Sequence, residues 1–287
     1  MAEPVRAELT EQAAAGGTPP SVAAGETPAV SGAPARPAAV KSADRTIELL
    51  EVLSRSDRPM TLTDLHRALN YPKSSLYMLL QTLVSRGWVE MDPQRSSYGI
   101  GVRALLVGTS YLDHDPVVRV AIRVMEQLRK DVNETVHLAR LDGSDVVYLA
   151  SRESEHHLRV VSRVGRRLPA HATSLGKALL AERDPEEVDA LLPERLDPLT
   201  PNTVTDRAAL HDQLTRFRAQ GYAHEREENT PGLGCFAVAL PYRTPVIDAL
   251  SCSVPVARLD GEHERQIVAA LLDAARTITD LLRQLAR

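Results

Sequence analysis

The sequence predicts a two-domain α+β fold, in which a small helical domain precedes a mixed domain with a central antiparallel sheet. Between residues 61 and 101, two short helical patterns joined by a turn lead into two alternating segments. From residue 115 onward, short strand patterns are flanked by longer amphipathic helices. A length of 287 residues is enough for two domains of ordinary size.

Residues 1–40 are a tract rich in Ala, Gly and Pro. Such a composition buries too little apolar surface to offset the entropy of ordering, so we predict a disordered tail. An extended arm that touches a polyanion is the alternative, but Arg6 and Arg36 are the only basic residues of the tract. A solvated tail is the favoured interpretation.

The first predicted helix runs from residue 41 to residue 55, with Ser42 as its N-cap. Its predicted core-facing residues are Ile47, Leu50, Val52 and Leu53.

Residues 61–70 predict a second, capped helix. Thr61 is a suitable N-cap, and Asp64 lies near the first-turn amides. Asn70 is a good left-handed terminator, and Pro72 is compatible only with the start of a following helix. A short helix, a tight turn and a new helix are therefore expected.

The following helix predicts one buried and one polar face. Its apolar stripe has helical spacing and comprises Leu76, Leu79, Leu80 and Leu83. From residue 65 to residue 89 there is no acidic residue, whereas Arg67, Lys73 and Arg86 are basic. Residues 88–91 and 97–100 then alternate around a turn that carries Arg95.

This order of elements predicts a winged helix-turn-helix, a fold that places a helix in the major groove of DNA. A helical hairpin that merely packs in a core is the alternative. The expected DNA-contacting residues are Ser42, Arg45, Thr61, Thr63, Lys73, Ser74, Ser75, Tyr77, Met78, Gln81, Arg95 and Tyr98.

The rest of the chain predicts a connecting helix and an α+β domain. Helices are expected at 102–112, from 116 onward, and at 174–182, 186–192, 206–220 and 262–287. The helix that begins at 116 has an apolar stripe made of Val117, Val120, Val124 and Leu128. Strands are expected at 135–141, 145–151, 158–164, 222–228, 235–241 and 246–255.

Several motifs resemble catalytic or metal sites without meeting their requirements. Gly176-Lys177 lacks the other residues of a phosphate loop, and the glycines around residue 232 precede a strand where a dinucleotide site needs a helix. Cys235 could pair with His171 or His137, but no third orienting residue is evident. We therefore expect no enzyme, no cofactor and no metal site, with a Cys235-dependent enzyme as a minor alternative.

A small-molecule pocket is the preferred interpretation of the second domain. Residues 230–234 form a Gly-rich approach to a strand, where a ligand can come close to the backbone. Ser251 and Ser253 are two residues apart on a strand and share one face. Two hydroxyls in one cavity can bind a carboxylate or a hydroxyl. The alternative is a dimerisation scaffold with a filled core.

The chain resembles the IclR family of bacterial transcriptional regulators over about residues 41–287. The resemblance rests on LTDLHRALNYPKSS, LLQTLVSRGWVE, RLPAHATSLGKALLA, GYAHEREENTPGLGCFAVALPY and ALSCSVPVARL, in the order of the family. It implies a DNA-binding domain at 41–101, a linker helix at 102–114 and a GAF/profilin-like effector-binding and oligomerisation domain at 115–287. Met78 departs from the Arg that family members commonly carry there.

The resemblance also implies partners and an effector site. The partners would be operator DNA, a small organic or aromatic acid, and further copies of the chain in a homodimer or tetramer. The implied effector residues are Leu158, Val161, Leu168, Ser174, Leu175, Glu225, Cys235, Ser251 and Ser253.

Composition limits the cellular setting. No apolar run approaches a membrane span, and the first residues lack a hydrophobic signal core. Only two cysteines are present, which argues against a disulfide framework. These features predict a cytoplasmic protein with no membrane partner.

Overall fold

The computed structural model describes residues 40–285. The predicted disordered tail therefore lies, apart from Val40, outside the described residues. The N-terminal part contains helices α1 (Lys41–Arg55), α2 (Leu62–Leu69) and α3 (Lys73–Ser85), with strands β1 (Met60–Thr61), β2 (Val89–Asp92) and β3 (Ser97–Ile100). Its core comprises Leu49, Leu53, Leu65, Leu76, Leu80, Leu83, Val89 and Tyr98.

The start and the buried face of α1 differ from the prediction. The helix begins at Lys41 with Val40 as its N-cap, so Ser42 lies inside the first turn, where its carbonyl accepts a hydrogen bond from Thr46 Oγ1 at 2.7 Å. Leu49 and Leu53 are buried one turn apart, whereas Ile47 is 57% exposed. Ile47 is two residues from Leu49 and therefore projects from nearly the opposite side of the helix.

The wing is a three-stranded sheet of order β1-β3-β2. Strand β1 could not be predicted from the sequence, because two residues are too few to show alternation. Met60 pairs with Tyr98 on β3, and this extra strand helps to enclose the Tyr98 side chain. Tyr98 is only 7% exposed, so its predicted contact with DNA is wrong.

Two helices connect this part to the rest of the chain. Helix α4 spans Val102–His114 and helix α5 spans Pro116–Val132. Asp115 caps α5 by accepting hydrogen bonds from the backbone N–H groups of Val117 and Val118 at 2.9 and 3.1 Å. The predicted stripe of α5 is partly wrong, because the core takes Val117, Val118, Ala121, Met125 and Leu128, while Val120 and Val124 are half-buried.

Arg140 fixes the junction of α4 and α5 to the large sheet. Its guanidinium donates to Asp115 Oδ2 at 2.6 Å and to Asp248 Oδ1 at 2.7 Å, and it also contacts the hydroxyl of Tyr111 on α4. Because Asp248 is fully buried, this cation neutralises a carboxylate that would otherwise be destabilising.

The C-terminal part is built around a six-stranded antiparallel sheet of order β6-β5-β4-β9-β8-β7. The strands are β4 (Thr135–Asp142), β5 (Asp145–Arg152), β6 (Arg167–Pro169), β7 (Ala223–Arg226), β8 (Leu233–Ala239) and β9 (Asp248–Pro255). The helices are α6 (Ser174–Leu180), α7 (Pro185–Leu191), α8 (Arg207–Gln220) and α9 (Gly261–Leu285). Helices α5 and α9 cover one face of the sheet, and α6, α7 and α8 cover the other.

The predicted strand at 158–164 is wrong. Residues 153–166 form no strand, and the edge of β5 pairs instead with Arg167–Pro169. The intervening segment is held by side chains, since Thr135 Oγ1 donates to the Val160 carbonyl at 3.1 Å and Ser154 Oγ donates to the Asn133 carbonyl at 2.7 Å. The other predicted strands and helices agree with the structure to within about two residues.

Candidate nucleic-acid interface and ligand cavity

The polar face of α3 is open to solvent. Lys73, Ser74, Tyr77, Met78 and Gln81 are exposed, as the sequence predicted, and Ser75 is half-buried. Thr63 on α2 is also exposed, and Lys73 Nζ donates to its hydroxyl at 3.2 Å. This surface can bring a cation, hydroxyls and an amide to phosphates and base edges in a groove.

Local chemistry defines both ends of α2. The Thr61 hydroxyl accepts from the Asp64 N–H at 3.2 Å, and Asp64 Oδ2 accepts from the Thr61 N–H at 3.1 Å. The bond from the Thr61 backbone is the main reason that the pKa of Asp64 is lowered. Asn70 then ends α2 in the left-handed conformation at φ 54°. Thr61 is thus confirmed as a cap, and its side chain is occupied by that bond.

The other predicted DNA-contacting residues have different surroundings. Arg45 lies over the ring of Tyr71, with its guanidinium carbon 4.7 Å from the ring centroid, and is half-buried. Arg95 is exposed at the tip of the wing, 3.9 Å from Asp92. Ser42 is exposed in the first turn of α1.

In the large sheet, strand register aligns polar side chains on one face. Glu225 on β7 pairs with Cys235 on β8, and Cys235 pairs with Ser253 on β9. Ser251 lies two residues from Ser253 on the same face, opposite Ala237. This face is the one that packs against α6.

These side chains line a cavity between the sheet and α6. Seven of the nine residues implied by the resemblance line it: Leu168, Ser174, Leu175, Glu225, Cys235, Ser251 and Ser253. Thr230 and Leu233 belong to the Gly-rich approach predicted at 230–234, and the sequence missed the other lining residues, which are Tyr148, Val160, Ser162, Arg166, Thr173 and Asn229. The space is narrow, with a cavity volume of about 40 Å³.

Leu158 and Val161 do not form the predicted apolar wall. They are 67% and 64% exposed, and neither lines the cavity. The prediction assumed a strand in which alternate residues share a face, but the segment is irregular and turns Val160 and Ser162 towards the cavity instead.

Glu225 is the acidic group of the cavity. Its Oε2 accepts a hydrogen bond from the Glu228 N–H at 2.8 Å, and the residue is only 3% exposed. Burial raises the pKa of Glu225 to about 7, against the nearby Cys235 thiol and the hydrogen bond from the Glu228 backbone, which lower it. Its charge therefore changes near neutral pH.

A buried lysine on α6 lies near this acidic group. Lys177 on α6 is fully buried, and its Nζ donates to Gln213 Oε1 at 2.8 Å and to the carboxylate of Glu228. Burial lowers the pKa of Lys177 in spite of the attraction of Glu228. The sequence could have indicated this buried lysine, because it is the only charged residue in the otherwise uncharged segment SLGKALL.

Packing explains Gly176. A Cβ at this position would come within 2.2 Å of the Ala170 backbone, so only glycine lets α6 approach the turn before it.

The thiol–imidazole pairs considered from the sequence do not form. Cys235 Sγ donates to Ser253 Oγ at 3.2 Å, whereas His137 Nδ1 bonds to Ser151 and His171 Nε2 to the Asp197 carbonyl. Burial raises the pKa of Cys235, which disfavours the thiolate. Among residues 40–285, no cluster of three or more His, Cys, Asp or Glu has the geometry of a metal site.

The chain combines a winged helix-turn-helix with a second domain that contains a polar cavity. This combination is typical of DNA-binding proteins that carry a small-molecule site. The family model for the bacterial transcriptional regulator IclR C-terminal domain matches residues 109–280, and that for the IclR helix-turn-helix domain matches residues 42–93. The chain belongs to the IclR family of bacterial transcriptional regulators.

Individual relatives agree with this assignment. The HTH-type transcriptional regulator KdgR of Dickeya chrysanthemi is 35% identical over 247 residues, which cover 85% of this chain and 81% of that protein. The transcriptional repressor IclR of Escherichia coli is 31% identical over 260 residues, covering 89% and 94%. A solved IclR homolog from Microbacterium hydrocarbonoxydans, complexed with 4-hydroxybenzoate, matches with a TM-score of 0.68 at 27% identity and covers 85% of this chain and 99% of that one.

The chain is therefore a DNA-binding transcriptional regulator, and it is not an enzyme. Within the part of the chain that the structure describes, no helix is both long enough and apolar enough to cross a membrane.

Proposed function

We propose that this regulator represses its target genes as a homodimer or a dimer of dimers, and that a small organic acid in the cavity controls its affinity for operator DNA. Residues 41–101 would bind DNA, residues 102–114 would link the domains, and residues 115–287 would bind the effector and hold the oligomer together. The similarity to a transcriptional repressor of Escherichia coli supports repression as the output.

The convergence of polar groups on one cavity carries the proposal. Glu225, Cys235, Ser251 and Ser253 come from three strands, and α6 closes the space above them. Side chains that only completed a packed core would not leave hydroxyls and a carboxyl around an enclosed space. The 4-hydroxybenzoate in a solved homolog supports an acid as the class of ligand.

The linker helix supports self-association. None of the residues of α4 is buried, and four of its apolar side chains are more than half exposed: Val102, Leu105, Leu106 and Val107. An apolar surface of this kind on a short helix favours contact with another copy of the chain. Paired recognition helices would then read two half-sites, which gives tight and specific binding.

The proposed DNA contacts divide by chemistry. Lys73 and Arg95 would contact phosphates, and Ser74, Tyr77 and Gln81 would reach base edges or sugars. Met78 is 67% exposed in the middle of this face and can offer only apolar contact, for example to a thymine methyl group.

The experiment that tests the proposal is footprinting of the purified protein on its own upstream intergenic DNA, over a salt series and with organic acids added. A protected palindromic region that weakens steeply with salt and responds to one acid is the expected result. Protection that no acid alters, together with no thermal stabilisation by any acid, would instead favour a scaffold domain without a ligand. A ligand at a hundred times its dissociation constant stabilises the folded state by about 2.7 kcal/mol.

A further inference from the structure

The cavity has an exposed cation that no carboxylate within residues 40–285 neutralises. Arg166 lines the cavity, and in the region from residue 40 to residue 285 no Asp or Glu lies within 4.0 Å of its guanidinium. The adjacent Arg167 differs, since it forms ion pairs with Asp142 and Asp145 at 2.6 and 3.0 Å and does not line the cavity. Arg166 is thus available to an anion that enters from solvent.

Another part of the cavity repels a second carboxylate. Glu225 is buried there, and it makes no ion pair with Arg166. The nearest cation, Lys177, is already engaged by Glu228 and Gln213. Two carboxylates side by side in a low-dielectric site cannot both stay charged, so an acid would not place its anionic group against Glu225. The carboxylate of Glu225 can instead accept a hydrogen bond from a hydroxyl group of the ligand.

Hydroxyl groups line part of the cavity wall. Tyr148 lines the cavity together with Arg166 and Glu225, and its phenol is a further hydroxyl of the lining. The Ser162 hydroxyl is fully enclosed and has no hydrogen-bond partner among the described residues. Because a buried polar atom without a partner is destabilising, a ligand with several polar atoms would suit this wall better than a hydrocarbon.

We infer that the effector is a compact hydroxy acid, whose carboxylate binds Arg166 and whose hydroxyl donates to Glu225. This inference rests on the proposed function, in which the cavity binds an acid. It assigns Arg166 as the residue that recognises the anion and Glu225 as the residue that selects for the hydroxyl. The narrow space favours short acids over long ones.

The test compares acids that differ by a single hydroxyl. Glycolate with acetate, and lactate with propionate, are titrated calorimetrically into the full-length protein at pH 6 and pH 8, alongside 4-hydroxybenzoate with benzoate. The variants are Arg166→Gln and Glu225→Gln. Arg163→Gln is the matched control, because Arg163 is also exposed but does not line the cavity.

In the wild-type protein at pH 8, the hydroxylated member of a pair should bind roughly ten- to a hundredfold more tightly, as expected for a hydrogen bond to a charged acceptor. Arg166→Gln should weaken both members by about tenfold or more, whereas Arg163→Gln should not. Glu225→Gln should reduce the preference for the hydroxyl and remove its dependence on pH, since the amide has no charge to lose.

Equal binding of the two members of each pair would overturn the inference and leave the acid effector standing. The same holds if Arg166→Gln binds as well as wild type, because the carboxylate would then be recognised elsewhere. Binding of none of the six acids would contradict the compact acid effector itself, and with it both proposals.

Discussion

Removing the positive charge from the buried ion pair of Lys177 and Glu228 should strongly destabilise the C-terminal part. In Lys177→Met, a side chain of similar length keeps the packing of α6 but removes the positive charge. Glu228, whose side chain is 7% exposed, and Glu225 then remain buried without a cation. Removing one partner of a buried ion pair costs about 3–5 kcal/mol in the free energy of unfolding, a large part of the total for most domains.

The assay is urea unfolding at pH 7.5, followed by far-UV circular dichroism. Trp88 is the only tryptophan and lies in the wing, so its fluorescence reports separately on the N-terminal part. Lys130→Met is the matched control, because Lys130 is 58% exposed and stands 3.9 Å from Glu126. An exposed pair of this kind contributes less than about 1 kcal/mol.

Two further measurements separate charge from packing. The double variant Lys177→Met/Glu228→Gln should regain part of the loss, because it no longer buries an unpaired carboxylate at residue 228. The deficit of the single variant should also shrink as the pH falls, since protonation neutralises the carboxylates that lost their cation. A loss no larger than that of Lys130→Met would refute the argument, as would a double variant no more stable than the single one.

Four other predictions concern the cap, the DNA contact, the cavity and the oligomer. Thr61→Ala should lower the free energy of unfolding of the N-terminal part by about 1 kcal/mol in Trp88 fluorescence, while Thr63→Ala, an exposed neighbour, should change it little. Lys73→Ala should weaken binding to all DNA sequences and flatten the slope of log affinity against log salt by about 0.9, and an unchanged slope would remove Lys73 from the phosphate contacts. Burial raises the pKa of Glu225 from 4.5 to about 7. The free energy of unfolding of the wild-type protein therefore falls as the pH rises through this window, because the buried carboxyl becomes charged. Glu225→Gln should therefore gain up to about 3 kcal/mol relative to wild type between pH 4.5 and pH 8, in urea titrations by circular dichroism. Leu105→Glu should reduce the oligomer mass in light scattering, and an unchanged mass would exclude this face of α4 from the interface.

The sequence was sufficient where structure is decided by neighbouring residues. Thr61 with Asp64, Asn70 at its left-handed φ, and Asp142-Gly143 between two strands each form hydrogen bonds or turns within a few positions of the chain. Such local chemistry is almost independent of the rest of the fold. It therefore fixed the turns of the winged helix-turn-helix and the first hairpin of the large sheet.

Only the tertiary structure decided which side chains are enclosed. Tyr98 is buried by a strand too short to recognise, and Leu158 and Val161 are exposed because their segment lacks a pairing partner. In each case the alternation along the chain is the same as in a regular strand, and what differs is the element that packs on it.

The charged partners also came from distant parts of the chain. Lys177 meets Glu228, 51 residues away, and Arg140 meets Asp248, 108 residues away. The order of the strands and the packing of α6 create these pairs. The sequence by itself determined the family, the local turns and about half of the residues that line the cavity. The fold decided which charges are buried together and left Arg166 without a carboxylate partner among residues 40–285, because burial and pairing depend on what the sheet brings together.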